Sequence, residues 1–276
     1  PLKEENVERL EEYMRAFNQP LSTVSLEQGE YANTGFTQWG ASGLAAVWAE
    51  ENTRESIFNA FRRKETFATT GTRIAVRFFG GYDLSSIDLN SESIVSEAYQ
   101  KGVTMGSDLL NDENKNPEFL VWAQRDKNGA PLQRIQIIKG WIDANSGRPE
   151  EKVFDVACSD GLQPDSLTNR CPDNGARVNI NDCSITSNVG SSELKTIWKD
   201  PEFVPADKTF YYVRVLENPT CRWSTWDAIK AGFKPREGLH ETIQERAWSS
   251  PIWYIPEQSD VEVIPLGGTI QLRNID

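Results

Sequence analysis

Hydrophobic positions change their period along the 276 residues. In the first 70 they recur every three or four residues, the spacing of an amphipathic helix. Val7, Leu10, Met14 and Phe17 predict one helix, closed by Pro20. The stretch 21–43, with Gly29, Gly35, Gly40 and Gly43, reads as irregular connection. A second helix follows Trp48: Asn52 caps it, Glu55 reaches back, and Ile57, Phe58 and Phe61 form a stripe expected to be buried. Arg62, Arg63 and Lys64 crowd its last turn, where cations complement the helix dipole.

After the turn Thr69-Thr70-Gly71 the period becomes two. Ile74, Val76 and Phe78 alternate with Arg73, Ala75 and Arg77, and strand-like runs follow at 118–124, 134–140, 151–157, 176–182, 209–217 and 250–255. Short helices are expected at 94–99, 191–198 and 224–232, the last with a Ser or Thr cap and a Gly stop. Asn128-Gly129 and the Gly147/Pro149 segment join 118–157 into an antiparallel meander. About seven strands with turn chemistry between them predict a mainly β chain with some α: an Ig-like antiparallel β-sandwich over 71–256. Residues 1–70 form a helical segment before it, and 257–276 a tail with one or two strands.

The composition of 38% hydrophobic and 25% charged residues adds that the chain folds rather than remaining disordered. Its 29 Lys and Arg against 41 Asp and Glu give a net charge of -12, which repels nucleic acid and anionic lipid. No apolar run approaches the ~18 residues of a membrane span. Cys158, Cys171, Cys183 and Cys221 lie in polar, loop-like sequence without a C-x-x-C pair, beside a single histidine, so two disulfides fit better than zinc. That places the chain in a periplasmic or secreted setting. Of the three pairings, Cys158–Cys171 with Cys183–Cys221 is preferred and the others stay open.

Candidate chemistry is sparse. There is no nucleophile elbow, phosphate-binding loop, dinucleotide fingerprint or H-E-x-x-H motif, and one histidine excludes a multi-histidine metal site within this chain. His240 reads as a surface residue. Glu50 and Glu51 beside Trp48 could bind a cation, although acidic residues ahead of a helix ordinarily complement its dipole. Asp160, Asp165, Asp173 and Asp182 around the cysteines leave Ca²⁺ as a minor alternative. Trp223, Trp226 and Tyr254 are candidates for a sugar or peptide platform, against a core role for these aromatics.

The stretches "GLAAVWAEENTRESIFNAFRRKETFATTGTRIAVRFF", "LQRIQIIKGW", "FYYVRVLENPTCRWSTWDA" and "IQERAWSSPIWY" resemble the C-terminal half of a large bacterial family, domain of unknown function 3604. The resemblance covers most of residues 43–255. That family in turn resembles the PHP (polymerase and histidinol phosphatase) metallohydrolases. The resemblance implies that 1–70 is a helical remnant of an α/β barrel whose missing part carries divalent metals and hydrolyses a phosphoester or related ester. This chain alone is then inactive, needs no cofactor of its own, and has its own N-terminal catalytic domain as partner, a homo-oligomer being also admitted. Trp48, Glu50, Glu51, Arg54, Thr70, Gly71 and Arg73 match the stretch next to the barrel, where Arg54 or Arg73 would hold an anionic substrate. The alternatives are a stand-alone carbohydrate- or peptide-binding module and a purely structural or dimerisation domain.

Overall fold

The computed structural model describes residues 23–26, 29–32, 40–112, 115–143, 146–232, 234–235, 238–256, 261–266 and 269–274. The helix expected over Val7–Phe17 lies outside the described residues. The chain divides into two units, residues 1–42 with 222–241 and residues 43–221 with 242–276. In the smaller unit β1 (Thr23–Leu26) and β2 (Gly29–Ala32) pair antiparallel, where plain connection was expected.

The larger unit opens with β3 (Leu44–Val47), helix α1 (Arg54–Arg62), β4 (Thr66–Thr69) and β5 (Ala75–Gly81). Helix α2 (Ile94–Lys101), β6 (Gly102–Thr104) and β7 (Asp108–Leu110) follow. The long strands are β8 (Glu118–Gln124), β9 (Leu132–Ile142), β10 (Pro149–Cys158), β11 (Glu193–Lys199) and β12 (Thr209–Glu217). Short strands complete it: β13 (Thr220–Cys221), β14 (Thr242–Ile243), β15 (Arg246–Ser249) and β16 (Ile252–Ile255), then a hairpin of β17 (Val261–Leu266) and β18 (Thr269–Asn274). Helix α3 (Trp223–Ala231) belongs to the smaller unit. It begins after Arg222 without a side-chain cap and ends at Gly232, whose φ of 77° is the left-handed stop the sequence signalled.

Two sheets build a sandwich-like core. One runs β10-β9-β12-β15-β4-β3, with β16 pairing β12 and β7 pairing β16; the other runs β11-β8-β5-β6. All pairings are antiparallel except β7 with β16. Alternate residues of each sheet meet between them: Val76, Phe78, Phe119 and Val121 from one, Ile135, Ile137, Tyr211, Val213 and Ile252 from the other. Each such buried side chain contributes roughly 1.5–3 kcal/mol. On its outer face the smaller sheet packs Phe79 and Leu120 against Ile94 and Ala98 of α2.

Three expectations are corrected. The meander breaks between β8 and β9, which lie in different sheets; the chain crosses the sandwich at the 125–131 loop instead of turning back. Residues 191–198 form strand β11, not a helix. Leu194 faces the inter-sheet core and Ile197 the α2 side, so both faces are covered and the free edge of β8 takes a strand. Around 176–182 only an isolated bridge, Val178 to Ile185, is present.

The two disulfides are Cys158–Cys171 and Cys183–Cys221, the preferred pairing. Asp155, fully buried, gathers the first of these loops onto the sheet, accepting from Gln136 at 2.6 Å and the Cys171 amide at 2.7 Å while Arg134 and Arg170 each approach to 3.4 Å.

Candidate functional site

Thr53, not Asn52, caps α1: its hydroxyl accepts from the Ser56 amide at 3.3 Å, while the Ser56 hydroxyl accepts from the Glu51 amide and donates to Glu50 at 2.9 Å. Glu50 also pairs with Arg63 at 2.9 Å. Its own backbone and the Ser56 hydroxyl hold the Glu50 carboxyl below the usual range. These groups border an open hollow of about 300 Å³ whose walls include Glu50, Glu51 and Glu55 against one guanidinium, Arg63. Three carboxylates make it a poor anion site, and neither Arg54 nor Arg73 lines it.

A second constellation lies around Glu65, three residues past α1. Arg77 lies 3.6 Å from the centroid of the Trp48 ring, donates to Tyr99 at 2.8 Å and approaches Glu65 at 3.8 Å. Glu65 is buried and accepts from Tyr99 and from Thr104 at 3.2 Å. Burial first, and the bond to Glu65 second, push the Tyr99 hydroxyl up, so it stays a donor at neutral pH. Trp48 in turn donates to the Val76 carbonyl at 2.7 Å. The guanidinium is thus occupied on its face and along its edge, linking β5 and α2 with Trp48, the residue that follows β3.

Thr70 and Arg73 sit elsewhere. β4 pairs Thr66 with Val47 and Thr69 with Leu44, so the turn holding Thr70 lies at the opposite end of that strand from Glu50 and Glu51, about 10 Å along it. There the Thr70 hydroxyl donates to Glu245 and accepts from the Arg246 amide at 2.9 Å, Gly71 takes a φ of 137°, and the Arg73 amide donates to Asp126 at 2.8 Å. Thr70 acts as a backbone anchor, and the Arg73 side chain is exposed. The structure does not bring Glu50, Arg54 and Arg73 into one site.

It leaves apolar surface on α1 instead. Ala60 is fully buried, whereas Phe58 and Phe61 are 61% and 51% exposed, which corrects the expected buried stripe. The helix contacts β3, and neither phenylalanine belongs to the two core clusters. β3 itself is an edge strand, with Leu44 43% exposed. Two large aromatics one helical turn apart beside an open edge form a surface that another protein element can cover.

The proposed ligand platform is redistributed. Tyr254 has no exposed surface; its hydroxyl meets Asn111 and the Pro205 carbonyl, and its ring stands edge-on to Phe203, so it is core. Trp223 and Trp226 lie on α3, Trp226 exposed, with Arg222 and Lys230 over their rings at 5.4 and 5.5 Å. The aromatics that line up on a sheet surface are others: Trp253 lies 5.1 Å from Phe210, which lies 6.3 Å from Tyr212 in near-parallel orientation. They occupy the face of β12 and β16 opposite the core. Gly140 makes room for them, since a Cβ there would come 2.2 Å from the Phe210 ring. Such a row can stack on the flat face of a sugar. The alternation "TFYYVRV", with Tyr211 and Val213 inward, was the signal that could have found it.

The acidic residues of the cysteine region serve their own loops. Asp160 accepts from the Gly190 amide, Asp165 from Leu167 and Thr168, Asp173 from Arg177, and Asp182 from Ser184. Hydrogen bonding to Arg177 lowers the Asp173 carboxyl to about 2. Among the described residues no group of three or more His, Cys, Asp or Glu is arranged to hold a metal, and His240 is exposed. Among the described residues, these donors do not form a set that fits the divalent metals the resemblance implies. No described helix is long and apolar enough to cross a membrane.

A family model described as "Protein of unknown function (DUF3604)" matches residues 7–256. No curated protein and no solved structure matches.

Proposed function

This chain belongs to the DUF3604 family, and on that premise we propose that it is the non-catalytic β-sandwich portion of a metal-dependent phosphoester hydrolase related to the PHP metallohydrolases. The sandwich, of the immunoglobulin-like class, supports the catalytic α/β domain, which docks on the outer face of α1. The metals and their ligands belong to that other domain. The observation that carries this reading is the pair Phe58 and Phe61, exposed on a helix flanked in sequence by Trp48 and Glu65, both of which Arg77 engages. A preformed helix with exposed aromatics suits a permanent partner, because less entropy is lost on docking than if the segment had to fold on binding. The two disulfides support a periplasmic or secreted location. The test is amide hydrogen exchange over residues 54–62, in this chain and in the longer protein that contains the preceding domain.

A second reading, a glycan-binding module, is favoured by the row Trp253, Phe210 and Tyr212. It expects a tryptophan fluorescence change on titration with oligosaccharides that Trp253→Ala removes. Silence across a broad panel rejects it.

A further inference from the structure

Glu217 ends β12 with no exposed surface, and among the described residues neither of its carboxylate oxygens has a partner in hydrogen-bond geometry. The Thr72 hydroxyl, itself buried without a partner, and the Ala130 amide lie beside it and favour its charged form without reaching hydrogen-bond geometry. The 125–131 loop packs directly on the carboxylate, since a Cβ on Gly129 would come 2.8 Å from Oε1. The charged groups that act on it are Glu245, just before β15, and Asp126, both carboxylates. The positive charges of Arg73 and Arg125 act on Asp126. A buried carboxylate facing two others needs neutralising, and no metal-holding group exists among the described residues.

We propose that Glu217 is a proton-operated latch: protonated, it lets the turn 70–73 and the loop 125–131 close over the end of β12, and its ionisation loosens both. The inference is independent of the docking face on α1. Burial, reinforced by Glu245 and Asp126, lifts its carboxyl from the ordinary 4.5 to about 7. Between those values the folded chain holds a proton that the unfolded chain lacks. Stability from this group is therefore full below about 4.5 and is lost as pH rises through about 7. Opening is local, because the loop carries Asn128-Gly129 and the turn Gly71, which tolerate backbone change.

The experiment compares urea midpoints of the whole chain at pH 5 to 8 for the wild type, Glu217→Gln and Glu245→Gln, with amide exchange read at 126–131. The wild-type midpoint is expected to fall over this range, and its loop exchange to accelerate beyond the intrinsic pH effect. Glu217→Gln loses both changes and is the more stable protein at pH 8. Glu245→Gln, which keeps the latch but removes one facing charge, shifts the fall to lower pH. Identical pH profiles in wild type and Glu217→Gln overturn the proposal; if that variant does not fold, an unshifted profile in Glu245→Gln overturns it. A calcium-dependent rise in the wild-type midpoint at pH 8, absent in Glu217→Gln, also overturns it, because the site then takes a cation rather than a proton.

Discussion

Lys139→Met is expected to destabilise the chain by about 3–5 kcal/mol, the usual cost of stranding one member of a buried ion pair. The Lys139 ammonium lies 2.6 Å from Asp200, with side chains 4% and 0% exposed, and also donates to the Glu202 carbonyl at 2.6 Å. Asp200 accepts in addition from Tyr211 at 2.8 Å and from the Glu202 amide at 2.8 Å. Burial, with the Asp200 charge second, pushes the Tyr211 hydroxyl far above the usual tyrosine range, so it remains a donor. Removing the cation leaves Asp200 with hydrogen bonds and no counter-charge. Urea unfolding should show a lower midpoint at unchanged slope, and adding Asp200→Asn, which removes the stranded charge but keeps an acceptor for Tyr211 and the Glu202 amide, should recover much of the loss. A cost below about 1 kcal/mol would mean that the pair is solvated.

Replacing Cys183 and Cys221 together by alanine is expected to cost about 4 kcal/mol, against about 3 for the Cys158/Cys171 pair, because the entropy restored to the unfolded chain grows with the loop closed. The sequence separations are 38 and 13 residues. Alanine avoids placing a hydroxyl at Cys183 or Cys221, which are 6% and 5% exposed. Denaturation of both variants without reductant reads the order. Equal or reversed costs would show that native packing around each bridge outweighs loop entropy.

Strands whose two faces meet different surroundings were legible. In β12 the inward Tyr211, Val213 and Val215 alternate with outward Phe210, Tyr212 and Arg214, and the expected limits 209–217 are those of the strand. In β11 the alternation is hidden, because Leu194, Ile197 and Trp198 also fit a helical spacing and both faces of the strand are covered. For α1 the pattern predicts the helix but not its environment: an apolar stripe reads the same whether it is buried in a core or, as with Phe58 and Phe61, exposed. The candidate residues Glu50 and Arg73 are 23 positions apart, and nothing local states that β4 runs between them. Glu217 had no signal at all, since a glutamate at a strand end ordinarily points to water.

The most direct test of the docking account is the hydrogen exchange of α1. In the protein that includes the preceding domain, amides of residues 54–62 should exchange at least about tenfold more slowly than in this chain, equivalent to about 1.4 kcal/mol of added protection. Phe58→Ser with Phe61→Ser should abolish that difference while leaving the isolated chain as stable as before. Equal exchange of α1 in the two proteins would contradict the account.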